Sequence, residues 1–426
     1  MKIALVTTFF GAHRFGGDAA YVERLAEALL RRGHSVTVFY SRDAFEAVRG
    51  TRQAIAYTPP PGLRVHALSS RLSRPNLLWM HQTGGLGATG RELVDHLQQG
   101  TFDVTHFHNI SLVGGAALLR ECPGPAVRLM TAHEHWLTCP LSVLWRYNRE
   151  ACEDATCTRC TLRSGRPPQL WRRSGSVSEA VAGLDALIFP SHHTLEAHAR
   201  RGIHHPRAQV LPYFIPRHWE LPEPPPPASA HAPFRFIGRL VAEKGLQTLI
   251  PIFRARPAAT LEITGDGPFR AELESLAAGA SNIRFRGAAS AEDIRTLLPN
   301  TRALLVPSLF PETFGYVLIE AWSQAIPTLA STAGALPEVS GAGGGWVCDS
   351  TELFGTRIDQ FLASPELGRE QGVALWKKSR DHFSEDSHLA AWEAIVRGSG
   401  VAGSAPGKSS SSHPAAPSQN EVSSRP

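Results

Sequence analysis

Residues 311–321 read Pro-Glu-Thr-Phe-Gly-Tyr-Val-Leu-Ile-Glu-Ala and follow an apolar run that ends in a Pro-Ser pair. This pattern predicts a strand, a loop and then a helix, with Glu312 in the loop and Glu320 inside the helix. Thr313 is predicted to cap the helix through its hydroxyl, and Gly315 to let a ligand approach the backbone. The free N–H groups at such a helix start favour a bound phosphate.

The spacing of Glu312 and Glu320 limits what the pair can do. In a continuous helix the two side chains would be separated by roughly 12 Å along the axis. The two carboxyls of a glycoside hydrolase are about 5 to 9.5 Å apart, so the spacing excludes that class of enzyme. It suits two contacts along one extended ligand, such as the two ends of a sugar nucleotide. The alternative is that both glutamates are solvated charges on a helix face.

The composition is that of a globular protein with two domains: 426 residues, 42% of them hydrophobic and 19% charged. Residues 1–225 carry 25 Lys and Arg against 18 Asp and Glu, which indicates an anionic surface or acceptor as the partner of this half. No nucleic-acid partner is expected. No apolar run approaches the roughly 20 residues of a membrane span, so we predict a cytoplasmic protein whose cysteines are thiols or metal ligands.

Short apolar runs alternate with helical patterns in both halves of the chain, which predicts two parallel sheets covered by helices on both faces. A polyproline stretch separates the halves and is compatible with neither helix nor sheet. The predicted organisation is a first domain over residues 1–221 with a cysteine-containing insertion over 136–175, a proline-rich linker over 222–232, a second domain over 233–383, a helix over 384–397 that packs back on the first domain, and a disordered tail over 398–426.

The loop over residues 238–245 follows the first predicted strand of the second domain, where anions bind in such sheets. It contains Arg239 and Lys244. The chain has only five lysines against 38 arginines, so a lysine here departs from the general usage. A compact ammonium suits a phosphate bridge better than a planar guanidinium does. A solvated basic loop is the alternative.

The order of several motifs resembles that of family 4 glycosyltransferases, which have the GT-B fold. The resemblance extends over roughly residues 1–397 and implies two Rossmann-like, doubly wound α/β domains facing each other across a cleft, the first on the acceptor side and the second binding a nucleotide-sugar donor. The motifs that carry it are Gly16-Gly17, residues 32–36, 103–108 and 131–136, the loop 238–245, residues 261–268 and 283–287, and the pair Glu312 and Glu320.

The resemblance also implies roles for individual residues. Glu320 would hold the donor ribose, Glu312 the transferred sugar, and Arg239 and Lys244 the donor diphosphate. His133 would contact the sugar or assist transfer. The implied catalytic residues are Glu312, His133, Lys244 and Arg239, and the implied donor-binding residues are Gly16, Gly17, Gly238, Arg239, Lys244, Glu312, Thr313, Phe314, Gly315 and Glu320.

The expected reaction is transfer of a hexosyl or related sugar, with retention, from a nucleotide sugar to a saccharide or lipid-linked saccharide in the synthesis of a cell-surface polysaccharide or glycolipid. The leaving diphosphate needs fixed cations or a metal. Because the sequence contains no Asp-x-Asp, we expect the cations and the helix dipole to serve and no cofactor to be required.

Two rival interpretations are compatible with the sequence. One is a non-catalytic protein that binds sugar nucleotides on the same fold. The other is a metal hydrolase, because His106, His108, His133 and His135 form two His-x-His pairs at neighbouring strand ends.

The predicted insertion contains a possible metal site and a possible membrane contact. Cys139, Cys152, Cys157 and Cys160 are either ligands of a structural zinc ion or free thiols. The basic and aromatic segment that follows them is either a solvated loop or a peripheral contact with an anionic membrane, at the inner face of the cell membrane. This segment contains Arg163, Arg166, Leu170, Trp171, Arg172 and Arg173.

Overall fold

A computed structural model of the chain describes residues 1–400, except positions 52, 123, 125, 148, 154, 230 and 344. The β-strands in this part are β1 Lys2–Val6, β2 Ser35–Ser41, β3 Arg64–Leu68, β4 Val104–Phe107, β5 Val127–Thr131, β6 Trp145–Arg146, β7 Glu150–Ala151, β8 Ala186–Phe189, β9 Ala208–Val210, β10 Phe234–Ile237, β11 Leu261–Thr264, β12 Ile283–Gly287, β13 Ala303–Val306, β14 Thr328–Ser331 and β15 Trp346–Cys348.

The helices in the same part of the chain are α1 Gly17–Arg31, α2 Arg42–Arg49, α3 Ser73–Thr83, α4 Gly87–Gln99, α5 Gly115–Glu121, α6 Cys157–Arg163, α7 Ser176–Ala182, α8 His192–Ala199, α9 Leu246–Arg254, α10 Arg270–Leu276, α11 Ala291–Leu297, α12 Tyr316–Ser323, α13 Leu336–Gly343, α14 Thr351–Ala363, α15 Pro365–His382 and α16 Glu385–Ser399. None of these helices has both the length and the apolar character needed to cross a lipid bilayer.

The first sheet has the order β3-β2-β1-β4-β5-β8-β9, and its strands are all parallel. Successive side chains of β1 point to opposite faces. Ile3 and Leu5 pack in a core with α1 and α16, whereas Ala4 and Val6 pack in a core with α4, α5 and α7. Burial on both faces explains why the strand reads as a continuous apolar run.

The second sheet has the order β12-β11-β10-β13-β14-β15 and is also parallel. Phe234 and Phe236 of β10 pack against α9 and α14 on one face. On the other face, Leu304 and Val306 of β13 pack against α12 and α15. Two doubly wound parallel sheets confirm the predicted fold class.

One apolar cluster continues from the first domain into the second. Residues 211–219 supply its middle part, where Tyr213 and Phe214 lie between Tyr21 of α1 and Phe314 next to α12. No strand or helix forms between Trp219 and Phe234 among the described residues, which is the region of the proline-rich segment. The domains are therefore joined by packing as well as by the linker.

The last helix, α16, lies on the first domain although it follows the second in sequence. Trp392 is fully buried and donates from its indole nitrogen to Nδ1 of His106 at 3.2 Å, and His388 bonds to the Tyr21 hydroxyl at 3.0 Å. The helix continues to Ser399, two residues beyond the predicted end at 397, so the predicted start of the tail at 398 was wrong. The remaining predicted tail, residues 401–426, lies outside the described residues.

Replacing Trp392 by alanine tests how much α16 stabilises the first domain. We expect Trp392→Ala to lower the free energy of unfolding by about 3–5 kcal/mol, because it empties a large buried site and removes the bond to His106. Guanidinium unfolding followed by circular dichroism measures the change. The control is Trp79→Ala, since Trp79 is exposed on α3 and its loss changes stability by about 0.5 kcal/mol or less. Equal effects of the two substitutions would contradict this account of α16.

Candidate functional site

The loops at the carboxyl ends of the two sheets meet at the domain junction, and we call the region between them the crevice. Strand order reverses between β1 and β4 in the first sheet and between β10 and β13 in the second. Such switch points are where parallel α/β sheets bind ligands. Across the crevice, the Arg239 guanidinium lies 5.8 Å from the ring centroid of Phe15. The loops after β1 and β10 are therefore in contact.

Lys244 and Glu312 form an ion pair on the second-domain side of the crevice. The Nζ of Lys244 lies 2.7 Å from Oε1 of Glu312, and the Ser308 hydroxyl donates to the same oxygen at 2.6 Å. Lys244 also lies 4.9 Å from the ring centroid of Phe310. The loop after β10 and the loop after β13 thus present a cation and a carboxylate next to each other.

Gly334 holds the loop that contains Glu312 close to the backbone that follows β14. A Cβ at this position would come within 2.3 Å of both the nitrogen and the carbonyl oxygen of Glu312. The backbone of Ala335 donates to that carbonyl at 2.8 Å. Only glycine allows this approach, and the sequence interpretation did not identify Gly334 as part of the site.

Thr313 does not cap α12, so that prediction was wrong. Gly315 occupies the N-cap position, with φ at 88°, and no side chain caps the helix start. The Thr313 hydroxyl instead donates to the carbonyl of His133 at 2.8 Å, across the domain boundary. The Thr313 carbonyl accepts from the hydroxyls of Ser191 and Thr194 at 2.8 and 2.9 Å. Thr313 therefore fastens the second domain to the first.

Two helix starts border the crevice. Gly16 is the N-cap of α1, with φ at 90°, and Gly17 is the first residue of that helix; both are exposed. Gly315 precedes α12 on the opposite side. Gly238 and Arg239 lie in the loop directly after β10, and Arg239 is exposed. These helix starts offer N–H donors and positive dipole ends to an anion in the crevice.

Two of the predicted donor-binding residues have protein partners of their own. Phe314 is fully buried against Tyr213, with 4.8 Å between the ring centroids, so its side chain belongs to the domain junction. Glu320 accepts a hydrogen bond from Arg24 of α1 at 2.6 Å. The carboxylate of Glu320 therefore lies at the domain junction, beside α1.

His133 is buried rather than open to the crevice. Its Nε2 bonds to Nδ1 of His108 at 2.9 Å, and its Nδ1 bonds to the Tyr213 hydroxyl at 2.6 Å. Burial lowers the pKa of His133 to about 3, so the imidazole is neutral. With both ring nitrogens bonded to protein, the ring positions its neighbours in this conformation instead of meeting a ligand directly.

The histidine pairs do not converge as metal ligands. His106 bonds to Thr131 and Trp392, and His135 bonds to the carbonyl of Pro311 at 3.3 Å. Within the described ranges, no group of three or more His, Cys, Asp or Glu side chains is arranged to hold a metal ion. The hydrolase interpretation therefore lacks support from the geometry.

The four cysteines of the insertion line one small cavity with Trp145 and Thr161. Burial raises the pKa of both Cys152 and Cys157, and neighbouring cysteines add to the rise. In the described part of the chain these side chains do not form a metal-binding group, so the structural zinc on Cys139, Cys152, Cys157 and Cys160 is not supported. Cys139, Cys157 and Cys160 are free thiols in this structure.

Asp18, Asn109 and Glu134 form a polar cluster on the first-domain side of the crevice, which the sequence did not predict. The amide of Asn109 donates to Asp18 at 3.1 Å and to Glu134 at 3.2 Å. Asp18 directly follows Gly16-Gly17, and Glu134 directly follows His133. In the sequence, the only indication of this cluster is that an acidic residue follows Gly17 and another follows His133. The fold is what brings the two residues together.

The two carboxyls of this cluster hold protons more tightly than usual. Burial raises the pKa of Glu134 to about 7, and the neighbouring Asp18 adds to the rise, against smaller opposing effects of Ser142, Arg239 and Arg172. Burial also raises the pKa of Asp18. Both side chains nevertheless keep partial contact with solvent.

Comparison with known protein families gives two matches. The model described as Glycosyltransferase Family 4 matches residues 15–218, and the model described as Glycosyl transferases group 1 matches residues 223–375. The two matches are consecutive and together cover most of the chain.

Individual relatives agree with these matches. An uncharacterised glycosyltransferase of Methanocaldococcus jannaschii is 26% identical over 362 residues, which are 80% of this chain and 82% of the relative. A sulfoquinovosyl transferase of Arabidopsis thaliana is 31% identical over 117 residues, which span 28% of this chain and only 22% of that protein. The Anabaena protein HepE in complex with UDP and glucose has a TM-score of 0.66 at 16% identity, covering 93% of this chain and 99% of that one. The structural likeness establishes a common fold.

The raised pKa of Glu134 predicts a pH-dependent contribution to stability. The folded state binds this proton more tightly than the unfolded chain does, so the stabilisation is complete below the ordinary pKa of 4.5 and is lost as the pH rises through about 7. At pH 8, Glu134→Gln should therefore have a free energy of unfolding that is higher than that of the wild type by about 1–2 kcal/mol, and a correspondingly higher melting temperature. This difference should disappear as the pH falls towards 4.5.

Calorimetry at pH 8 and pH 5 measures the two melting temperatures. The matched control is Glu179→Gln, which makes the same change at an exposed glutamate of α7. A Glu134→Gln advantage that is independent of pH would refute the titration of Glu134 as its cause.

Proposed function

Because this chain belongs to the family 4 glycosyltransferases of the GT-B fold, enzymes that use nucleotide-sugar donors, we propose that it transfers a hexosyl or related sugar with retention to a saccharide or lipid-linked saccharide. The observation that carries the proposal is the meeting of Lys244, Arg239 and Glu312 with the starts of α1 and α12 at the switch points of both sheets. Synthesis of a cell-surface polysaccharide or glycolipid in the cytoplasm is the corresponding pathway.

The donor diphosphate binds between the two domains in this proposal. Arg239 and Lys244 supply fixed positive charge, and the N–H groups at Gly16, Gly17 and Gly315 supply donors aligned with two helix dipoles. These groups stabilise the charge that grows on the leaving nucleoside diphosphate, so that a metal ion is not required. Binding of UDP by the structurally similar HepE supports a nucleoside diphosphate as the leaving group.

Glu312 recognises the transferred sugar. Its carboxylate pairs with Lys244 and accepts a hydrogen bond from the Ser308 hydroxyl. When a donor binds, the diphosphate competes for Lys244, and Glu312 gains the capacity to accept hydrogen bonds from sugar hydroxyls. We assign His133 a positioning role, because its carbonyl holds Thr313 and its ring holds Tyr213.

The acceptor binds on the first-domain side, near Asp18, Asn109 and Glu134. Two carboxyls and an amide offer several hydrogen-bond partners to sugar hydroxyls: Asp18 lies in the first turn of α1, and Asn109 and Glu134 lie in the loops after β4 and β5. Glu134, with its pKa near neutrality, exchanges protons readily at physiological pH. These properties support a polyhydroxylated acceptor.

An apolar and basic surface on the first domain supports peripheral contact with an anionic membrane. Its segments are joined by two hydrogen bonds, from the Trp171 indole nitrogen to the carbonyl of His81 and from Arg173 to the hydroxyl of Thr158. Exposed apolar side chains there lie among exposed arginines, the combination that anionic lipid attracts. The exposed residues are Leu72, Leu78, Trp79, Leu162, Leu170, Arg71, Arg74, Arg163, Arg166 and Arg173.

Removing the charge of Lys244 tests the donor site. We expect Lys244→Met to lower kcat by about 100-fold or more, because a fixed cation at the leaving group is lost. Release of nucleoside diphosphate in the presence of acceptor measures turnover, and added EDTA should leave the wild-type rate unchanged. The control is Lys377→Met, which removes an exposed lysine of α15. Wild-type turnover in Lys244→Met would overturn the assigned role.

The same assay separates the enzyme from a non-catalytic binding protein. Release of nucleoside diphosphate that depends on an added acceptor supports transfer. Tight binding of a sugar nucleotide without any release, across all acceptors, would support the binding protein instead.

Liposome flotation tests the membrane contact. Leu78→Ser combined with Leu170→Ser should reduce flotation with anionic vesicles several-fold. Neutral vesicles should bind neither the wild type nor the double variant. Trp171 and Arg172 are unsuitable targets because Trp171 packs against Gly84 and Arg172 is stacked between Trp136 and Trp171. Leu276→Ser, at an exposed leucine of α10 in the second domain, is the control. Equal flotation of both variants would exclude this surface as the contact.

A further inference from the structure

A buried ion pair links α1 of the first domain to α12 of the second. The Nη2 of Arg24 lies 2.6 Å from Oε1 of Glu320, and only 9% and 14% of the two side chains are exposed. Breaking a buried pair is far more unfavourable than breaking a surface pair, because the remaining charge loses its compensation. This contact therefore constrains both helices.

The Arg24 guanidinium is also fixed by aromatic rings. It lies 4.9 Å from the ring centroid of Trp219 and 4.5 Å from that of Tyr316. Burial alone would lower the pKa of Arg24, but Tyr316 and Glu320 raise it above its usual value, so the side chain stays charged. A charged group held between two rings has little freedom to turn, and it fixes the orientation of the Glu320 carboxylate in its turn.

One carboxylate oxygen of Glu320 is available to a ligand. Among the described residues, only Oε1 of its carboxylate receives a hydrogen bond, and it comes from Arg24. The other oxygen, Oε2, is thus able to accept hydrogen bonds from hydroxyl groups of a ligand. A carboxylate anchored through one oxygen presents the second in a defined direction.

We infer that Arg24 is a positioning residue for the nucleoside end of the donor: it orients Glu320 towards the ribose hydroxyls and so makes ribose recognition depend on contact between the two domains. The inference rests on the proposed donor site. Because Arg24 and Glu320 belong to different domains, their pair exists only when α1 and α12 are together. A ribose that binds the oriented carboxylate stabilises the same arrangement, which couples donor binding to domain contact.

Nucleotides with and without ribose hydroxyls test this coupling. Calorimetric titration measures binding of UDP, GDP and ADP and of their 2′-deoxy and 3′-deoxy counterparts. For the nucleotide that the wild type binds best, loss of the contacted hydroxyl should weaken binding about tenfold. Arg24→Met retains an unbranched apolar chain between the rings. It should bind the ribonucleotide about tenfold more weakly and no longer distinguish it from the deoxynucleotide.

Arg31→Met is the matched control, because Arg31 is on the same helix and also pairs with a carboxylate, that of Glu385 at 2.7 Å. It should keep the wild-type discrimination. If Arg24→Met does not fold, Arg24→Lys replaces it. We expect this variant to distinguish the ribonucleotide from the deoxynucleotide less strongly than the wild type does. Wild-type discrimination in the Arg24 variant would overturn the inference while leaving the donor site intact. Absence of nucleotide binding by the wild type would instead overturn the proposed function, and this inference with it.

Discussion

The loop between β13 and α12 is held by both domains at once, and the rest of the crevice depends on this attachment. On its own side, Gly334 admits the loop backbone so closely that no other residue fits. From the first domain, His133 accepts from Thr313, and Ser191 and Thr194 donate to the Thr313 carbonyl. These bonds hold the residue next to Glu312, so the backbone position of Glu312 depends on groups of the first domain, while Lys244 and Ser308 hold its carboxylate. The continuous apolar cluster around Tyr213 gives the same junction its hydrophobic support.

The charged and acidic side chains of the crevice have partners within the protein. Glu312 is paired with Lys244, Glu320 with Arg24, and Glu134 shares the amide of Asn109 with Asp18. Each group is therefore oriented before a substrate arrives, which reduces the reorganisation needed during the reaction. A substrate with both phosphates and hydroxyls can bond to these oriented groups, whereas a simple apolar molecule cannot.

The sequence was informative where one local pattern decides the outcome. The apolar run of β1, the amphipathic pattern of α1 and the alternation along the chain were sufficient for the fold class. The failures concern contacts between distant segments: Thr313 has a suitable side chain for a cap, but the carbonyl of His133 competes for its hydroxyl. His133 and Phe314 belong to recognisable motifs, yet packing against Tyr213 buries both. Glu134 and Gly334 were missed because only tertiary structure shows what adjoins them.

The position of α16 affects the order in which the chain can fold during synthesis. The core on one face of the first sheet contains Trp392 and Leu389 as well as residues of β1 and α1. A ribosome delivers the amino-terminal strands long before these two side chains, so this apolar face of the first domain stays incompletely covered while the whole second domain is made. The second domain faces no such delay, because its strands and α9 to α15 are contiguous in the chain. The domain synthesised first is therefore the one completed last.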